Sequence, residues 1–161
     1  MSDLSSRLAS SLRLEPHPEG GRYRQLHRSA VSVEVPDRGL RRSALTAILF
    51  LLARGEVSRW HRVLSDETWH FHEGDGLELL VVDADLSNVS RHHLGRASEG
   101  HDPLAVVPAG AWQAARPLGE LALVSCTVGP GFEFEDFALL AGLPADAALL
   151  AERFPDLAGL L

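Results

Sequence analysis

Cysteine is almost missing from this sequence. Its one thiol, Cys126, rules out a disulfide within the chain, and no CxxC pair offers a zinc site. Cys126 lies in the apolar run LALVSCTV, where a thiol reads as a small buried hydrophobe and not as a nucleophile. Long apolar runs are missing too. The longest, Ala44 to Ala53, is about half the length of a membrane span. No basic-plus-apolar segment opens the sequence, so a soluble, cytoplasmic protein with no membrane partner is expected. Positive charge is in deficit, with 15 Lys plus Arg against 22 Asp plus Glu and a net charge of −7. That balance argues against nucleic acid as a partner, because phosphate binding needs an excess of cations. The nearest basic patch, Arg38, Arg41 and Arg42, has no aromatics between its members and reads as a solvated loop.

What is present suits one folded domain. The 161 residues are 45% apolar and 23% charged, enough to bury a real core. Leu4, Leu8 and Leu12 recur at helical spacing, with Ser2 or Asp3 as candidate caps. Pro16, Pro18 and Gly20-Gly21 then break the helix. Short strands are expected at Tyr23–His27, Ala44–Leu52, Val57–Val63, Glu67–Phe71, Leu77–Val82, Ser90–Leu94, Leu104–Val107 and Leu121–Val128. Tight turns such as Gly74-Asp75-Gly76 separate them, which points to an antiparallel sandwich or barrel and not to βαβ units. Pro144 is a suitable first residue for a closing helix through Phe154.

The informative stretch is GEVSRWHRVLSDETWHFHEG, residues 55–74. Gly55, His61, Val63, Glu67 and Gly74 are spaced as G, five residues, H-x-V, three residues, E, six residues, G. Further on, Pro108-Ala109-Gly110 is followed after two residues by Gln113. Strand alternation puts Arg59, His61 and Val63 on one face. A tight turn at Leu64-Ser65-Asp66 brings Glu67, Trp69 and Phe71 back alongside, with His70 and His72 facing away unless a bulge intervenes. Buried charges among aromatics require pairing, metal or a wet cavity, and this mixture describes a small-molecule pocket.

These spacings resemble the two motifs of the cupin superfamily, with Val63 and Gln113 at positions where that superfamily places histidines. A narrower resemblance, to the small cupin family often labelled cupin 5, rests on HPEGGRYRQLHRS, the 55–79 stretch, VPAGAWQAA and CTVGPGFEFEDFALL. It implies an all-β fold: a double-stranded β-helix, or jelly-roll barrel, with short N- and C-terminal helices. Residues 1–161 would form one cupin domain, the barrel core spanning about 20–140. The family has no settled activity, so the resemblance implies a fold and a pocket but no reaction.

Metal-holding cupins use three histidines and a glutamate. Here His61, Glu67 and Gln113 would be the ligands of any divalent metal, a poor donor set for zinc or iron, and no cofactor is expected. The expected catalytic group is His61, beside Glu67, acting as a general base in an isomerase or epimerase. Tyr23 would supply a proton from the other side, as in the sugar epimerases that the family resembles. Arg59, Trp69, Phe71, Gln113, His17 and Glu19 are the candidate ligand-binding residues. A non-catalytic metabolite binder is the alternative, with a metal-dependent oxygenase or isomerase a third. For a diphosphate, only Arg22, Arg59 and Arg62 are candidates. The apolar Ala44–Leu52 segment must be covered on both faces, and a homodimer is the expected cover.

Overall fold

The computed structural model describes residues 3–161. A helix, α1 (Asp3–Ser11), opens the described chain, so Ser2 as a cap lies outside the described residues. Thirteen strands follow among those residues: β1 (Glu15–Pro16), β2 (Arg22–Arg28), β3 (Ser32–Val35), β4 (Leu40–Ser43), β5 (Thr46–Ala53), β6 (Ser58–Val63), β7 (Asp66–Gly74), β8 (Leu77–Val82), β9 (Val89–Leu94), β10 (Leu104–Val107), β11 (Trp112–Pro117), β12 (Leu121–Gly129) and β13 (Phe137–Leu139). Helix α2 (Pro144–Arg153) has Pro144 in its first turn, where the missing N–H costs nothing.

The strands form two antiparallel sheets. One has the order β1-β2-β5-β12-β7-β10 and the other β13-β6-β11-β8-β9, while β3 and β4 make a separate hairpin. This is the expected jelly roll with short terminal helices. Its core lies between the sheets, where Phe50, Leu52, Trp69, Leu77, Leu79, Val124 and Cys126 pack together. β8 explains its own sequence, LELLVV. Leu77 and Leu79 face that core, while Leu80 and Val82 join Trp60 and Trp112 on the outer face. There Leu150 of α2, with Leu140, Leu157 and Leu160, covers them. Both faces are buried, so apolar residues occupy both phases of the alternation.

Two expectations change. The outer face of β5, Leu49 and Leu51, is covered by Leu8, Ala9, Leu12 and Leu14 from and after α1, so no partner is needed there. The arginines at 38, 41 and 42 do not sit in a solvated loop. They belong to the β3–β4 hairpin and its turn, and Arg42 grips Asp136 with two hydrogen bonds of 2.8 and 2.9 Å. Arg38 adds a third contact to Asp136 at 3.0 Å, and only Arg41 remains well exposed, against Glu34. The Arg42 hydrogen bonds hold the Asp136 carboxyl below its ordinary range. Local composition cannot reveal this pairing, because Asp136 lies 94 residues from Arg42.

Candidate functional site

The His61–Glu67 motif folds as β6, a turn and β7. In β6 the ladder pairs Gln113 with His61 and then Ala115 with Ser58, so Arg59 and Trp60 together oppose Ala114. This bulge changes the alternation. Ser58 and His61 both turn inward, Trp60 packs outside, and Arg59 leaves the interior. Arg59 was expected to meet a ligand; its guanidinium instead donates to the backbone oxygens of Pro18 and Glu19. Its own N–H donates to the Glu19 oxygen at 2.8 Å. Arg59 therefore straps the 17–20 loop onto β6. The loop needs Gly20: its φ is +114°, and a Cβ there would stand 2.1 Å from the Val57 oxygen.

That strap delivers Glu19 to His61. Glu19 Oε1 accepts a 2.8 Å hydrogen bond from the Ser58 hydroxyl. Its Oε2 lies 3.3 Å from His61 Nε2 and 3.3 Å from His17 Nδ1. His61 Nδ1 lies 2.7 Å from the Arg59 carbonyl oxygen. A carbonyl only accepts, so Nδ1 carries the hydrogen and Nε2 is the basic nitrogen. The Nε2–Oε2 contact then needs one proton, held either by Glu19 or by the imidazole. Burial pushes the Glu19 carboxyl up and His61 down, so the two groups' proton affinities approach each other across this contact. Burial lowers His17 in the same way.

Glu67 faces the same cavity without touching His61 by a hydrogen bond. Burial raises its carboxyl, and the charge of nearby Glu19 pushes in the same direction. The opposing effect of His61 is Coulombic, so the expected pair acts through space and the direct partner is Glu19. Cys126 is on the cavity wall next to Glu67, and burial keeps its thiol protonated.

The cavity holds about 480 Å³. His17, Glu19, Tyr23, His61 and Glu67 all line it. The Tyr23 ring meets His17 edge-on at 4.6 Å between centroids. Trp69, Phe71 and Gln113 do not line the open cavity, contrary to expectation. Gln113 is bonded to Glu67 and Trp69 to Gln113, so Glu67 stands between these two and the space, while Phe71 packs against the core. A bulge opposite Leu123 and Val124 comes after Phe71, too late to turn His70 inward. His70 and His72 instead hydrogen-bond Thr127 and Ser125.

Sequence reasoning missed the cavity's roof. Phe132, Phe134 and Phe137 line it, and Phe137 stacks on His61 at 5.5 Å. The segment follows Gly129-Pro130-Gly131, and its signal was the three phenylalanines among acidic residues in FEFEDF. Arg28 holds it through Glu133 and the Phe132 oxygen, and Arg42 through Asp136. The cavity's arginines are Arg13, Arg24 and Arg28, and Arg62 lies away from it over Trp112, 4.7 Å from the ring.

Residues 6–140 match the model of a family described as Cupin superfamily (DUF985). The chain belongs to this cupin family. A hypothetical protein from Leishmania major shares 34% identity, covering 96% of this chain and 94% of its own, with a TM-score of 0.82. A Shewanella oneidensis protein is also 34% identical, over 93% of this cupin and 96% of its own chain, with a TM-score of 0.74. Oxalate decarboxylase from Bacillus subtilis is 18% identical over 87% of this chain and 34% of that one, with a TM-score of 0.58, a likeness of fold alone. No curated protein matches the chain.

The residues of this cupin do not fit a metal centre of the superfamily type. Val63 presents a hydrocarbon to the cavity where an imidazole ligand would stand. Both ends of the Gln113 amide are already used. Among the described residues, no group of three or more His, Cys, Asp or Glu is placed to hold a metal ion. No helix among them is long and apolar enough to cross a membrane.

Proposed function

We propose that this cupin is a metal-free isomerase or epimerase of a small sugar-like or keto-acid-like metabolite, with His61 as its base. The observation that carries the reading is the single tautomer of His61. The Arg59 carbonyl fixes hydrogen on Nδ1, leaving Nε2 at the cavity beside a carboxyl that can support the imidazolium. In the proposed step, Nε2 takes a proton from a carbon next to a carbonyl. Tyr23, from β2 in the other sheet, returns one proton to the altered carbon, so the substrate is rearranged with no net change in protons. A thermal-shift screen of metabolites identifies ligands, because binding to the native state raises the melting temperature.

A non-catalytic binder is the second reading, favoured by the aromatic roof that two arginines pin over the cavity. The readings separate on turnover: His61→Ala removes it under the first and only weakens binding under the second.

We also infer that two copies pair. The exposed edge strand β10 presents Leu104, 48% exposed, and Val106, 52% exposed. Unpaired apolar edges invite a partner. Light scattering at micromolar concentration is expected to give twice the chain mass. A mass near one chain, independent of concentration, defeats the inference.

A further inference from the structure

Behind the cavity wall runs a chain of hydrogen bonds with only one allowed direction. The Trp69 indole N–H can only donate, and it lies 2.8 Å from Gln113 Oε1. An amide has one accepting end, so this contact assigns the other end of Gln113 as its NH2. That NH2 lies 2.6 Å from Glu67 Oε2, which must accept. Trp69 and Gln113 are each 1% exposed and Glu67 is 7% exposed, so water does not compete for these bonds. Flipping the amide would set NH2 against N–H at one end and two oxygens against each other at the other. Both errors would be buried, and each unsatisfied group would be costly.

We propose that Trp69 and Gln113 are positioning residues: they commit Glu67 Oε2 to Gln113 and so, with the Cys126 thiol that also bonds this carboxyl, set the orientation in which Glu67 meets a ligand. The proposal rests on the reading of this cavity as the ligand site. Its consequence is directional. A carboxyl free to rotate offers either oxygen over an arc. A carboxyl held in one orientation meets a ligand from one direction, in the cavity that His61 also lines. Fixed groups on two sides of a ligand select one face of it, and such positioning is worth more than the bonds that supply it. It also gives position 113 a use other than holding a metal: the amide passes the orientation of a rigid indole to a carboxyl.

The test is NMR of the full chain, labelled with 15N and with 13C at glutamate carboxyls, with no ligand added. Glu67→Gln assigns the Glu67 carbon by removing its signal. Trp69→Phe deletes the N–H and keeps an aromatic ring. It is expected to shift the Gln113 side-chain NH2 resonances and, with them, the Glu67 carboxyl resonance. Gln113→Met is expected to move the carboxyl resonance the same way. Adding Trp69→Phe to Gln113→Met should move it no further, because an indole that acts through the amide has nothing left to act on. Should Gln113→Met not fold, Trp69→Phe alone decides. Unchanged Gln113 and Glu67 resonances in Trp69→Phe overturn the proposal, as do independent, additive shifts in the double variant. No turnover enters the test, so an inactive protein with shifted spectra would sink the isomerase reading and leave this one standing.

Discussion

Replacing His61 with alanine is expected to cut turnover by roughly 10²–10⁴-fold, the usual contribution of a positioned acid or base. Each metabolite that raises the melting temperature can be incubated in D2O, and deuterium entering carbon positions followed by NMR. Wild-type protein should wash deuterium into the carbon next to the carbonyl, since Nε2 removes that proton and the site exchanges with solvent. The variant should still bind the same metabolite, because the aromatic roof and Glu67 remain. Persisting exchange in His61→Ala would assign the base elsewhere. No exchange in wild-type protein with any bound metabolite would favour the binding module.

Glu67→Gln is expected to become more stable relative to wild type as pH rises. The sign follows from burial, which raises the folded carboxyl above its unfolded value of about 4.5. Such a group contributes stability below the unfolded pKa and loses that contribution as pH climbs through the folded one. The amide never ionises, so it escapes the loss, and its oxygen can still accept from Gln113. Each unit of separation between folded and unfolded pKa is worth about 1.4 kcal/mol. Melting curves for both proteins, from the carboxylate range to mildly alkaline pH, measure the difference. A gap that does not change with pH contradicts the buried, destabilised carboxylate. The same substitution should make the His61 imidazolium harder to form, because the charge of Glu67 favours it.

The barrel was legible because strands and tight turns alternate, and because the spacing of Gly55, His61, Glu67 and Gly74 encodes a strand, a turn and a strand. The inward face of β7 was legible too, since Glu67, Trp69 and Phe71 keep a period of two. The partner of His61 was not. Glu19 reaches it through a loop 42 positions earlier in the numbering, fastened by the Arg59 guanidinium and N–H onto backbone oxygens, which carry no residue-specific signal in the sequence. The bulge in β6 was hidden for the same reason: Arg59 and Trp60 differ from a regular strand only in how β11 pairs with them. Gln113 fell in the right place with a different neighbour, bonding to Glu67 in place of a ligand.

The central claim is that His61 presents Nε2 as the basic nitrogen. Long-range 1H–15N NMR of the imidazole ring reads the tautomer directly. The account predicts hydrogen on Nδ1 and a non-protonated Nε2 near neutral pH. Hydrogen on Nε2, with Nδ1 bare, would contradict it, because the ring would then offer the cavity a donor and no base.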